Sequence, residues 1–338
     1  MRFLLVHPAF LGDTVFLGPA VRALKARWPG SEVGLVVSPR GEPVARLLPG
    51  VDEVFVFDKR RSDAGLRGIL RLGARLRAFA PDVALVSHPS ARSGSVAWLS
   101  RAPRRIGYAP LCNERVVLDR GRPFVERALA LAARAGAPAG DRTLALDPPR
   151  ELAGYAAEVL RGARRPVVGL VPGAEWATKR WGEDRYAELA GRLASGGATI
   201  LLLGGPSERE MAQAIATRSG APVVDTSGNS IAEALALLAR CDLVVGGDTG
   251  LVHCARALGR PTVLLFGPTD PARHVLADRE RVVRVDLACS PCHDHGPERC
   301  PLGHHACMTE LPVTEVERQA RALLAAGAPP GAESRSNA

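Results

Sequence analysis

Twice along this chain, short runs of Val, Leu and Ile alternate with longer amphipathic stretches, and that alternation leaves few folds open. The first series reads as strands at Arg2–His7, Glu32–Val37, Asp52–Phe57, Asp82–Ser87 and Arg104–Tyr108, with helices at Gly12–Arg27, Gly65–Phe79, Ala91–Leu99 and Arg122–Ala135. Gly136–Gly140 and Asp147–Pro149 are linker-like, and the alternation then restarts. The second series has helices at Leu152–Leu160, Asp184–Ala194, Glu208–Ser219 and Ile231–Arg240, and strands at Pro166–Val171, Thr199–Leu203 and Pro222–Val224. The segment Cys241–Pro268 follows as strand, tight turn, helix and strand, and Val313–Ala325 is a last helix. Runs such as Leu243–Val245, apolar at every position, suit parallel strands covered on both faces. The pattern predicts two doubly wound, Rossmann-like α/β domains, 1–145 and 150–311, then a C-terminal helix at 312–326 and a disordered tail at 327–338.

The chain has 338 residues and 46% hydrophobic content, enough for two cores. Its net charge of +9, mostly from Arg, favours anionic partners. It shows no aromatic RNA-binding signature and no zinc-finger His pair, so nucleic acid is not expected. Met1–Val6 reads as a strand and not a signal peptide, and no apolar run is long enough to span a bilayer. A cytoplasmic protein is expected, touching membranes only from their surface. Seven cysteines in a chain of this length do not read as a disulfide framework.

Four turns that follow strands hold the candidate chemistry. In Phe10–Thr14, Asp13 falls at a helix start, either as an ordinary cap or as a carboxylate facing an interdomain cleft, placed to take a proton from an attacking hydroxyl. In Val171–Trp181, Lys179 and Thr178 suit a diphosphate, a point charge beside a hydroxyl donor; the alternative is a solvated basic loop with core tryptophans. In Gly204–Glu208, Gly204 and Gly205 admit a ring or ribose, and Glu208 is an acceptor for ribose hydroxyls or simply an acidic first turn. In the Gly246–Gly250 turn, Asp248 occupies a helix N-cap position, and Gly250 allows close approach to N–H groups at a positive dipole end, an anion site.

The set resembles the ADP-heptose–lipopolysaccharide heptosyltransferases of glycosyltransferase family nine. The matching residues are Leu11-Gly-Asp13, Pro172-Gly-Ala174 with Lys179-Arg-Trp181, Gly204-Gly-Pro206, and Asp248-Thr-Gly-Leu-x-His253 with Gly267-Pro268. That resemblance implies a GT-B fold, two Rossmann-like domains facing a central cleft, and an inverting transfer that needs no metal. It implies Asp13 as catalytic base, and Lys179, Thr249, Gly250 and His253 on the donor diphosphate, with Asp248 orienting that turn. It places Lys59, Arg60 and Arg61 on the acidic sugars of the acceptor, although a basic stripe of this kind, continued by Arg67, Arg71 and Arg75, is ordinarily a solvated helix face. The implied partners are ADP-heptose, a lipopolysaccharide inner-core acceptor and the inner membrane surface, for a monomeric enzyme. Another donor or acceptor within the same family, or a non-catalytic nucleotide-binding protein of this fold, are the alternatives.

Cys289, Cys292, Cys300 and Cys307 lie close together in sequence with several histidines among them. This spacing fits a structural zinc or an iron–sulfur cluster, equally four reduced thiols, and in third place disulfides. No cofactor is expected for catalysis itself.

Overall fold

The structure is a computed structural model that describes residues 1–327 except Arg60, Ser62 and Ala64. The predicted tail beyond residue 327 and the candidate acceptor residue Arg60 lie outside the described residues.

The chain forms two compact units, Met1–Asp147 with Ala272–Val275, and Pro148–Pro271 with the rest of the C-terminal part. The first unit is built from β1 (Arg2–His7), α1 (Leu11–Val15), α2 (Gly18–Arg27), β2 (Glu32–Val37), α3 (Glu42–Ala45) and β3 (Glu53–Val56). It continues through α4 (Gly65–Phe79), β4 (Val83–Val86), α5 (Ala91–Leu99), β5 (Arg104–Gly107), β6 (Glu114–Arg115) and α6 (Phe124–Ala135). Its six strands pair in the order β3-β2-β1-β4-β5-β6, all neighbours parallel. Leu4, Val6, Val36, Phe55 and Val86 on the sheet pack with Leu72, Leu76 and Val96 from the covering helices. Phe16 and Phe124 stack at 5.3 Å, and His274 packs 5.5 Å from each ring, which ties Ala272–Val275 to this unit.

The second unit repeats the design. It contains α7 (Ala153–Val159), β7 (Val167–Val171), α8 (Glu183–Ser195), β8 (Thr199–Leu202), α9 (Arg209–Ser219), β9 (Val223–Asp225) and α10 (Ile231–Leu238). Then come β10 (Leu243–Gly247), α11 (Gly250–Ala257), β11 (Thr262–Phe266), β12 (Glu280–Arg284), α12 (Ala306–Thr309) and α13 (Val313–Ala325). The strand order is β12-β11-β10-β7-β8-β9, again with parallel pairs. Strands β7, β10 and β11 are buried at every residue, as their unbroken apolar sequences require. Trp181 and Tyr186 are fully buried with their rings edge to face, and the Trp181 indole N–H donates to the Leu311 carbonyl at 3.0 Å. The tryptophan of the Lys-Arg-Trp motif is therefore a core anchor.

In each unit the strand order reverses beside the first strand, between β1 and β4 and between β7 and β10. Loops leaving the carboxyl ends of strands at such a reversal diverge and open a crevice, where doubly wound sheets bind ligands.

The expected helix over Gly12–Arg27 is two helices, because Pro19 has no N–H to continue the ladder and its ring disfavours a continuous turn. The sequence reading missed the short elements α3, β6 and α12, and also β12, whose Arg-rich sequence hides an edge strand.

Candidate active site

In the first unit, Asp13 lies in the first turn of α1, immediately after β1 at the strand reversal. Its side chain is 24% exposed, and its Oδ2 stands 3.6 Å from Nε2 of His7, the last residue of β1. His7 Nδ1 shares a 2.6 Å hydrogen bond with the Ser87 hydroxyl, one residue past β4. The His88 ring meets the His7 ring edge to face at 5.8 Å. The two strands that flank the reversal thus hold a carboxylate, an imidazole and a hydroxyl in one group. The place of Asp13 at the helix start after β1 was legible from sequence; the nearness of His7 and Ser87 was not, because only the β1–β4 pairing brings them together.

In the second unit, the loops after β7 and β10 meet at Asp248. Lys179 Nζ donates to Asp248 Oδ2 at 2.6 Å and to the Asp248 carbonyl at 3.1 Å. The Thr269 hydroxyl donates to the same carboxylate at 2.8 Å. His253 Nε2 lies 2.8 Å from Asp248 Oδ1, and Arg256 Nη1 lies 3.2 Å from His253 Nδ1. An arginine only donates, so His253 Nδ1 is the acceptor and its proton sits on Nε2, donated to Asp248. Arg256 in turn pairs with Glu280 at 2.8 Å, with side-chain exposures of 1% and 7%. Lys179, Asp248, His253, Arg256 and Glu280 form one chain of charge-assisted bonds running into the core.

Two expectations change here. Asp248 is not the helix cap: Thr249 is the N-cap residue of α11, without a side-chain cap bond, and the Asp248 carboxylate is turned to Lys179, His253 and Thr269. The point charge expected at Lys179 is also half of an ion pair, partly met by Asp248. The Thr249 and Gly250 backbone opens α11 with first-turn N–H groups that no N-cap side chain occupies.

Thr178 is buried, and its hydroxyl donates to the Pro297 carbonyl. Its own carbonyl accepts from His305 Nε2 at 2.7 Å. Gly296 sits in the left-handed region at φ +91°, where an added Cβ would lie 3.2 Å from the Lys179 stem and from Trp176, so this position tolerates little besides glycine. The Arg180 guanidinium folds back onto the Ala174 carbonyl at 3.0 Å. The Cys-rich segment thus braces the Lys179 loop, and the Thr178 hydroxyl expected on a diphosphate is spent in that bracing.

Gly204 and Gly205 follow β8, and Glu208 turns back on them. The Gly205 N–H donates to Glu208 Oε2 at 2.8 Å and the Ser207 hydroxyl to Oε1 at 2.7 Å. A Cβ on Gly173 would strike the Glu208 side chain at 2.5 Å, so glycine there makes room for the carboxylate. Lys59 and Arg61 are exposed.

All seven cysteines are free. Among the described residues, no three sulfur or imidazole ligand atoms of the Cys289–Cys307 segment lie within 4.8 Å of one another. The Cys300 sulfur accepts from backbone N–H groups of His305, Leu302, Gly303 and His304, which hold its thiol below the usual range. Burial and the neighbouring Cys289 and Cys300 push the Cys292 thiol up, and burial pushes Cys307 up to about 11. Near neutral pH a lowered pKa means more thiolate, so iodoacetamide is expected to label Cys300 before Cys292, as read by peptide mass spectrometry. Faster labelling of Cys292 would contradict that order.

The Arg256–Glu280 pair makes a second expectation. Glu280→Leu takes the carboxylate from a buried guanidinium and should lower the unfolding free energy by about 3–5 kcal/mol. The double variant Arg256→Met/Glu280→Leu should recover most of that loss in denaturant unfolding; equal loss in both would remove the pair from the account.

Two parallel six-stranded sheets of this order, each with polar groups gathered at its reversal, define the GT-B class of α/β proteins. The family model described as glycosyltransferase family 9 (heptosyltransferase) matches residues 69–301, and the chain belongs to that family of glycosyltransferases. It is 28% identical to lipopolysaccharide heptosyltransferase 2 of Salmonella typhimurium, over 96% of this chain and 99% of that protein. The structure of Escherichia coli ADP-heptose lps heptosyltransferase II superposes with a TM-score of 0.78 at 26% identity, covering 96% of this chain and 99% of that one. A family 9 glycosyl transferase from Veillonella parvula shares the fold with a TM-score of 0.86 at 22% identity, covering 96% and 98%. Among the described residues, no helix is long and apolar enough to cross a membrane.

Proposed function

We propose that the protein transfers heptose from ADP-heptose to the inner core of a lipopolysaccharide acceptor, with inversion at the anomeric carbon. The observation that carries this reading is the end-to-end similarity to lipopolysaccharide heptosyltransferases 2, joined to the Lys179–Asp248–His253 group beside the start of α11. Asp13 takes the proton of the acceptor hydroxyl; that oxygen bonds to the anomeric carbon, and the carbon–diphosphate bond breaks with its electron pair leaving on ADP. Lys179 and the N–H groups of Thr249 and Gly250 meet the charge that grows on the leaving diphosphate, which is the work a metal would otherwise do. His253 and Thr269 hold Asp248, and Asp248 holds Lys179 in place, so the acid positions the cation rather than the ligand.

In this reading Gly204, Gly205 and Glu208 flank the nucleoside, the carboxylate keeping spare lone pairs for ribose hydroxyls beyond the two donors it already accepts. Lys59, Arg60 and Arg61 supply the positive charge for the anionic sugars of the acceptor. Thr178 shapes its loop through Pro297 and His305. The enzyme acts as a monomer on the cytoplasmic side of the inner membrane, and its transfer needs no metal. For the Cys289–Cys307 segment, which braces the donor loop through Gly296, Pro297 and His305, we favour reduced thiols over a zinc site, which would need the four sulfurs to close to roughly 3.8 Å.

A ligand that binds only the folded state raises the melting temperature. A thermal-shift screen of nucleotide sugars, with zinc analysis of the same sample, is expected to single out ADP-heptose and to find no stoichiometric zinc. Stabilisation by a different nucleotide sugar would move the assignment to another donor within the family. A donor-stabilised protein with no turnover on any acceptor would favour a binding protein instead.

A further inference from the structure

The charge of this chain is not spread evenly. Residues 1–147 carry 23 Lys and Arg against 13 Asp and Glu, whereas the remainder carries 21 against 22. Within residues 59–115 the imbalance sharpens to 12 basic residues against three acidic ones. That stretch contains α4 and α5, which pack together where Gly73 meets Leu99, with Arg77 Nη1 donating to the Leu99 carbonyl at 3.3 Å.

The outer sides of these helices are not purely polar. Leu70 on α4 is 48% exposed and Trp98 on α5 is 56% exposed. Trp98 is the one exposed tryptophan of the four in the chain. One turn before it, Gly94 lies against the Pro110 backbone, which carries the next residue, Leu111, 51% exposed. Exposed Arg67 sits one turn before Leu70, and exposed Arg101 follows α5 directly. Leu70 on α4, Trp98 on α5 and Leu111 in the stretch between β5 and β6, exposed among arginines, do not suit solvent, where each apolar side chain costs free energy and the charges repel one another. They suit a surface that is anionic outside and apolar just beneath, because an indole settles at headgroup depth while arginines meet lipid phosphates.

We propose that this α4–α5 face, anchored by Trp98, Leu70 and Leu111 and charged by Arg67 and Arg101, is a docking surface for an anionic phospholipid bilayer. The inference rests on the proposed function only in that a lipid-linked acceptor would be found at such a surface; the docking itself is argued from charge and exposure. It is separate from the acceptor role given to Lys59 and Arg61.

The test is vesicle flotation of the full chain. Wild-type protein is expected to float with phosphatidylglycerol-containing vesicles, far less with phosphatidylcholine alone, and less as salt rises. Arg67→Ser/Arg101→Ser should weaken partition roughly thirtyfold, from about a 1 kcal/mol contribution per arginine at an anionic surface. Trp98→Ser/Leu70→Ser should weaken it roughly tenfold or more. Both pairs should keep the wild-type melting temperature and wild-type turnover on a water-soluble, lipid-free acceptor. Unchanged flotation of both variants, or equal binding to neutral vesicles, overturns the proposal. Release of the wild type from vesicles by soluble acceptor also overturns it, by assigning the charge to the acceptor site. Flotation reads docking even if no acceptor turns over, so failure of the functional reading and failure of this one are distinguishable.

Discussion

Asp13→Asn is expected to cut the transfer rate by about 10²–10⁴-fold while leaving ADP binding and the melting temperature close to wild type. The substitution keeps the shape of the side chain and removes only its basicity. Asp13 stands in the first turn of a short helix, partly exposed and 3.6 Å from His7, and an amide at that place still offers an oxygen as acceptor. A structural role would show as lost stability with retained turnover per folded molecule. A base role shows as lost turnover in a folded enzyme that still binds donor, measured by product formation and calorimetric ADP titration side by side. Retention of full activity would remove Asp13 from the chemistry.

Lys179→Met is expected to have the second largest effect, and on a different quantity. It deletes the cation that meets the diphosphate and takes from the Asp248 carboxylate its ammonium partner, leaving the neutral donors His253 and Thr269. A carboxylate without its ammonium then faces an anionic ligand, so donor affinity should fall further than one lost contact implies, by roughly 10²–10³-fold, the order seen when one partner of a buried, hydrogen-bonded charge pair is removed. Stability should fall too, because Lys179 and Asp248 are only 12% and 10% exposed. The double variant Lys179→Met/Asp248→Asn separates these effects. Removing both charges should restore much of the stability and part of the ADP affinity. If the double variant is no better than Lys179→Met alone, Asp248 does not act through Lys179.

Much of the architecture was visible in the sequence because parallel strands buried on both faces leave unbroken Val and Leu runs. The ends of β2, α4, α5 and α13 follow those runs and the punctuation around them. The boundary at residues 12–27 was misread because Pro19 interrupts an otherwise continuous apolar stripe, and β12 was missed because Arg281 and Arg284 conceal an edge strand. At the site, motifs that lie within one loop were legible: Asp13 after β1, Lys179 after β7, Asp248 and His253 around the β10 turn. Partners supplied by a different strand were not. His7 meets Ser87 across 80 residues, Lys179 meets Asp248 across 69, and Arg256 reaches Glu280 on an element the sequence reading did not find. Capping preference suggested the wrong job for Asp248, since a carboxylate at a helix start caps only when nothing better is in reach, and here a lysine and a histidine are.

The brace around Thr178 makes two distant stretches of the chain a single inherited part. Trp176–Lys179 and Gly296–His305 touch through one hydroxyl, one imidazole and a glycine that must stay a glycine. A chimera that swaps the cysteine-rich stretch for a relative's, without its matching lysine loop, will inherit a mismatched joint. Drift in that stretch is therefore paced by the loop it holds.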